Sequence, residues 1–171
     1  MRIAIMGAGG VGGFLGGKLA LAGGDVVIVA RGKHLEALRT HWLHVVGAEE
    51  FTVLPVTVSD QPQALGEVDV VLFCVKLYDT ESAAAQLEPL LADHPVVVTL
   101  QNGVESLQRI GSVIGQERVL AGAAYFPASI NSPGEIIFKG SIPGKPLVEV
   151  AEPQDGSSDR AEQLIQEMQN A

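Results

Sequence analysis

Gly7-Ala8-Gly9-Gly10-Val11-Gly12 is the stretch whose reading decides the fold. It spells G-x-G-x-x-G, a weak pattern by itself in a chain with 20 glycines. Its surroundings give it meaning. Ile3–Met6 is a short apolar run ended by glycine and reads as a buried parallel strand. Val11–Ala22 carries Phe14, Leu15, Leu19 and Leu21 among small residues and reads as a helix, stopped by Gly23-Gly24. Val26–Ala30 reads as a second strand. Strand, helix and strand are complete within about 30 residues, the length of a βαβ unit. In that setting Gly7 permits a tight turn, Gly9 lets the backbone approach a pyrophosphate, and Gly12 lets the helix pack closely on the strand. The helix N-terminus then offers free N–H groups and a partial positive charge to the phosphates. A plain glycine-rich turn is the bland alternative, and the strand–loop–helix context weighs against it.

Working outward, His34–His41 suggests a short helix. Trp42–Val46 and Phe51–Val58 read as two strands joined around Gly47. Val68–Val75 is a fully buried strand, Glu81–Leu91 a helix, and Val96–Leu100 another buried strand. Val104–Ile114 reads as a helix and Val119–Ala124 as a further strand. Gly134–Phe138 and Leu147–Val150 look like a hairpin across a Gly/Pro-rich turn. Ser157–Gln169 reads as an amphipathic helix capped by Ser157 or Ser158. Buried strands alternating with helices predict an α/β fold: a Rossmann-type, doubly wound, mostly parallel sheet with helices on both faces. The whole of residues 1–171 reads as one dinucleotide-binding domain.

An NAD site needs an acidic residue at the end of the second strand to hold the ribose 2′-OH. Here that strand ends Val29-Ala30-Arg31, and Asp25 precedes it. The Arg31 guanidinium can instead pair with a 2′-phosphate, so the expected cofactor is NADP(H). A solvated strand-end arginine is the alternative. Lys76 and Asn102 follow two of the buried strands at their carboxyl ends, where ligands of open α/β sheets bind. Each has an equally good bland reading, a solvated loop lysine and a turn or cap asparagine. His34, His41, His44 and His94 lack metal-ligand spacing and read as surface or satisfied structural residues, so no metal is expected. Cys74 sits in an apolar run and reads as a small buried hydrophobe.

The chain has 171 residues, 47% of them hydrophobic, with a net charge of −9. That is enough for a real core, and the acidic balance argues against nucleic acid or an anionic membrane as partner. A single cysteine excludes an internal disulfide and makes a reducing cytoplasm the simplest compartment. No apolar run approaches the ~20 residues that span a bilayer.

Taken together, these residues resemble the N-terminal domain of the ketopantoate reductase (2-dehydropantoate 2-reductase) family over essentially the whole chain. The resemblance rests on Gly7 to Gly13, Val29-Ala30-Arg31-Gly32, Val75-Lys76-Leu77-Tyr78-Asp79, Leu100-Gln101-Asn102-Gly103-Val104, and Gly122-Ala123-Ala124 leading to Pro133-Gly134. The glycine segment is generic to dinucleotide folds; the Lys76 and Asn102 segments in this order and spacing are more specific. The family reduces ketopantoate to pantoate with NADPH, on the way to coenzyme A. The resemblance implies that Gly7, Ala8, Gly9, Gly10, Val11 and Gly12 cradle the pyrophosphate and that Arg31 meets the 2′-phosphate. It implies that Lys76 lies beside the cofactor, that Asn102 lies near the nicotinamide and the substrate ketone, and that Ala128 contacts the nicotinamide amide through its backbone.

The resemblance also marks a departure. The family's general acid is a lysine at the start of a second, all-helical domain, and this sequence stops at Ala171 before such a domain. Lys145, in the Gly/Pro-rich turn, is not placed to inherit the role. Hydride transfer needs a proton source as well as a nicotinamide. The expectation is a cofactor domain with negligible reductase activity alone, acting on a small 2-keto acid once a C-terminal domain completes it. An uncovered crevice would also favour self-association into a homo-oligomer. Two other readings stay open: a stand-alone NADP(H)-binding or sensing module, and a different two-domain 2-keto acid dehydrogenase.

Overall fold

The computed structural model describes residues 1–41, 43–53, 56–103, 105–154 and 158–169. Along the chain lie β1 (Arg2–Met6), α1 (Gly10–Leu21), β2 (Asp25–Val29), α2 (Gly32–His41), β3 (Leu43–Gly47), β4 (Phe51–Val53), β5 (Thr57–Ser59) and β6 (Val68–Phe73). They are followed by α3 (Thr80–Ala84), β7 (Leu91–Thr99), α4 (Glu105–Ile114), β8 (Val119–Ala124), β9 (Ala128–Ser132), β10 (Glu135–Phe138), β11 (Val148–Ala151) and α5 (Asp159–Gln169).

A seven-stranded sheet runs in the order β11-β8-β7-β6-β1-β2-β5. Its pairings are parallel except for β8 with β11. From β1 the chain builds outward to β2 and β5 on one side, then crosses to β6 and continues outward on the other. The winding therefore reverses between β1 and β6, the point where an open α/β sheet leaves a crevice at its strands' carboxyl ends. The strands are apolar on both faces because both are covered. Ile3, Ile5, Val26, Ile28, Val70 and Leu72 pack with α1 and α5, while Ala4, Met6, Val27, Val29, Val71 and Phe73 pack with α3 and α4. This is the doubly wound arrangement the sequence predicts.

A second sheet was not foreseen. It has four strands in the order β4-β3-β10-β9, with β3 and β10 parallel and the outer pairs antiparallel. α1 lies between the two sheets, which explains its composition. Glycine inside a helix is intrinsically unfavourable, yet α1 has it wherever a sheet presses close. A Cβ at Gly16 would stand 2.8 Å from Ile5 Cγ1 of the large sheet, and one at Gly13 2.9 Å from Ile136 Cγ1 of the small one. Phe14, fully buried, points to the small sheet. Its ring stacks on Phe138 at 4.1 Å and lies 4.8 Å from Phe126 and 6.2 Å from Phe51.

Three local expectations are corrected. Gly134–Phe138 and Leu147–Val150 do not form a hairpin: β10 pairs with β9 and β3, while β11 closes the edge of the large sheet against β8. Phe51–Val58 is not one strand, since β4 and β5 belong to different sheets. The helix expected over Glu81–Leu91 ends at Ala84 and gives way to a 3-10 turn, Glu88–Leu90, with Pro89 near its start. Proline lacks the N–H that an α-helix would need there. Ser158 caps α5, its Oγ accepting from the Ala161 N–H at 3.2 Å. Trp42, Leu54, Pro55, Val104, Ser157, Ala171 and the side chain of His94 lie outside the described residues.

Candidate functional site

The groove sits where the winding reverses. The Met6 carbonyl accepts from the Cys74 N–H at 2.9 Å, and the Val29 carbonyl accepts from the Gly7 N–H at 3.1 Å, so β1, β2 and β6 end level with one another. The loop after β1 turns at Gly7, whose φ of +100° belongs to the left-handed region, where a side chain is costly. A Cβ at Gly12 would stand 2.2 Å from the Gly7 carbonyl oxygen. A Cβ at Gly10 would stand 2.1 Å from the Ala128 carbonyl oxygen. Gly9 differs: a Cβ there would meet nothing within 4 Å. Its open side is the side a ligand can approach.

α1 begins directly after Gly9 with no capping side chain and no acidic residue in its first turn. The Gly13 N–H is taken by the Gly9 carbonyl at 2.6 Å. The N–H groups ahead of it have no helical carbonyl to bond. Backbone donors with a helix dipole behind them suit an anion.

Gly7, Ala8, Gly9, Arg31 and Lys76 line one groove, together with His34, Asp60, Cys74, Val75, Tyr78, Asp79 and Ile130. Of the other predicted residues, Gly10, Val11 and Gly12 form the first turn of α1 behind the loop. Ala128 starts β9 against Gly10. Asn102 is exposed on the loop after β7, outside the groove lining. That loop is tied to the Lys76 segment by Gln101, whose Nε2 donates to the Val75 carbonyl and to Thr80 Oγ1, both at 2.9 Å. The two strand-end segments thus hold a common position.

Sequence reasoning missed Asp79, and it read His34 as a surface or satisfied structural residue without bringing it to the groove. The Arg31 guanidinium is ion-paired with the Asp79 carboxylate across the groove. His34, in the first turn of α2, lines the groove and its Nδ1 accepts from the Gly134 N–H at 3.0 Å. Burial lowers its pKa from 6.5, against an opposing pull from the Ala8 backbone. The fold therefore favours neutral His34. Between that lowered value and 6.5 the unfolded chain binds more protons, so stability should fall as pH drops through this window and be complete above it. Urea unfolding at pH 7.5 and pH 5 should show a smaller loss for His34→Gln than for wild type; equal losses would overturn this role.

Although Cys74 reaches the groove, burial pushes its thiol up to about 12, so it is a poor nucleophile near neutral pH. Among the described residues, no group of three or more His, Cys, Asp or Glu is placed to hold a metal ion. Among the same residues no helix is long and apolar enough to cross a membrane.

Residues 3–147 match the family described as ketopantoate reductase PanE/ApbA. A 2-dehydropantoate 2-reductase of Mesorhizobium japonicum is 34% identical over 192 residues, covering 100% of this chain and 58% of that protein. One from Archaeoglobus fulgidus is 37% identical over 139 residues, covering 81% of this chain and 44% of its own length. The crystal structure of 2-dehydropantoate 2-reductase from Porphyromonas gingivalis superposes with a TM-score of 0.88 at 31% identity, covering 99% of this chain and 61% of the other. The chain thus spans about half the length of the relatives it matches.

Proposed function

The chain belongs to the ketopantoate reductase family, and on that premise we propose that its groove binds NADP(H) as the cofactor domain of an NADPH-dependent reductase of ketopantoate. The observation that carries the reading is the open side of Gly9 at an uncapped helix start, with Arg31 at the end of the neighbouring strand. The loop from Gly7 to Gly12 would hold the pyrophosphate by backbone N–H groups, which requires no side-chain charge. Arg31 would pair with the 2′-phosphate, and Lys76 would add positive charge beside the cofactor.

When bound, the cofactor supplies the hydride for carbonyl reduction. The chain's own residues bind and orient. Gln101 holds the Lys76 and Asn102 segments together through the Val75 carbonyl; Asn102, exposed beside the groove, would turn inward to meet the nicotinamide and the ketone of a small 2-keto acid. Ala128, fixed against Gly10, would offer its backbone to the carboxamide.

Calorimetric titration with NADPH and NADH tests the cofactor. Wild type should prefer NADPH. Arg31→Ala should weaken NADPH by roughly 10- to 100-fold, the worth of a charge-assisted contact, while changing NADH by less than about threefold. An equal loss for both cofactors, or no binding of either, would count against the proposal.

A further inference from the structure

The second strand of this domain leads into an arginine, Arg31, two residues past its end, yet a carboxylate still stands at the same end of the groove. It comes from another element. Asp79 closes the 3-10 turn Leu77–Asp79 after β6 and precedes α3. At that position an aspartate ordinarily turns back to cap the helix. Here the side chain makes no capping bond, and its carboxylate faces Arg31 instead. Asp79 is 21% exposed, whereas Arg31 is 76% exposed. The carboxylate is therefore the more buried partner and the guanidinium the more solvated one.

Asp60 lines the groove at the same end, with Arg39 3.9 Å away. The charged lining is then Arg31 and Lys76 against Asp60 and Asp79. A 2′-phosphate arriving here meets a guanidinium already neutralised. It can displace Asp79, leaving a mostly buried carboxylate without its cation, or share Arg31 and sit beside that carboxylate. Both are unfavourable. A ribose 2′-OH suffers neither cost and can donate to the same carboxylate.

We propose that Asp79 is a specificity-determining residue that opposes the 2′-phosphate and accepts from the 2′-OH, narrowing the preference of this groove for NADPH over NADH. This rests on the reading that the groove holds NADP(H). Arg31 and Asp79 are opposed devices: one selects the phosphate, the other holds that selection down.

The test is titration of the full chain with NADPH and with NADH, for wild type, Arg31→Ala, Asp79→Asn and the double variant. Asp79→Asn should bind NADPH about fivefold more tightly, the worth of one removed like charge at a few ångströms in water, and NADH more weakly. The NADPH-to-NADH ratio should rise about tenfold. The double variant should bind NADPH more tightly than Arg31→Ala, since the repulsion does not act through the arginine. Asp79→Ser provides the same comparison if the asparagine variant fails to fold, as checked by circular dichroism. Weaker NADPH binding by Asp79→Asn, or an unchanged ratio, overturns the proposal and leaves Asp79 a support for Arg31. If Arg31→Ala abolishes the NADPH preference while the Asp79 variants leave the ratio unchanged, the cofactor reading stands and this one falls. Failure of wild type to bind either cofactor overturns both.

Discussion

Gly12→Ala should cost the fold about 2–3 kcal/mol and weaken NADPH binding with it, whereas Gly9→Ala should weaken binding alone. The two glycines stand three residues apart, Gly9 at the N-cap of α1 and Gly12 inside its first turn, and only Gly12 has protein packed against it. A methyl group at Gly12 would stand 2.2 Å from the Gly7 carbonyl, 2.9 Å from Ile5 Cγ2 and 3.0 Å from Cys74 Cβ. The first contact is backbone and cannot rotate away, so α1 must lift off β1, and the loop it anchors moves too. A methyl group at Gly9 meets no protein atom within 4 Å, and the φ of −69° there suits alanine. Stability should then change by less than about 0.5 kcal/mol. The methyl would instead occupy the space a pyrophosphate needs, at a loss on the order of tenfold or more. Urea unfolding and NADPH calorimetry on both variants separate the effects. A Gly12→Ala variant as stable as wild type, or a Gly9→Ala variant binding normally, would show that the loop is not used this way.

Phe14→Ala should be the most destabilising single truncation here, at about 3–5 kcal/mol. Against a total of roughly 5–15 kcal/mol for a domain, that leaves little margin. Phe14 is the point where α1 meets the small sheet, stacked on Phe138 at 4.1 Å and close to Phe126 at 4.8 Å. All three rings are buried, with Phe138 on β10 and Phe126 in the short bend between β8 and β9, so the hole has little freedom to collapse. Phe51→Ala should cost much less, because that ring is only half-buried and 6.2 Å away. Urea midpoints for the two variants give the comparison. Equal losses would mean that the ring cluster behaves as one diffuse contact, not one centred on Phe14.

The large sheet was legible because buried parallel strands advertise themselves. Ile3–Met6, Val26–Val29 and Val68–Phe73 are apolar without interruption or nearly so, and each is bounded by glycine or a polar loop. The small sheet was largely illegible for the opposite reason. Ala128–Ser132 is a mostly exposed edge strand with a polar sequence, so no periodicity marks it. Without it, Gly134–Phe138 has only its next strand in sequence, Leu147–Val150, as an evident partner. Phe51–Val58 is rich in strand formers, and the one local sign against a single strand is Pro55 in its middle. The glycine loop was readable because its tight turn and helix start are set by residues adjacent in sequence. The Arg31–Asp79 pair was not, because it joins residues 48 apart through the crossing at β6. His34 lacks metal-ligand spacing and lies away from any strand's carboxyl end in the sequence, so nothing local shows that the first turn of α2 brings it to the groove.

The contact between Gly10 and the Ala128 carbonyl bears on how the protein comes into being. During synthesis the strand–loop–helix unit is finished within the first 30 residues, but the face of α1 that meets β9 and β10 stays bare until residues 128–138 leave the ribosome. β10 must then slot in beside β3, made some ninety residues earlier, with Glu135 opposite His44. The smallest fragment able to hold the loop in its native shape therefore extends to about Phe138, and a nascent chain stalled before Ala128 presents a glycine-lined apolar helix surface to chaperones.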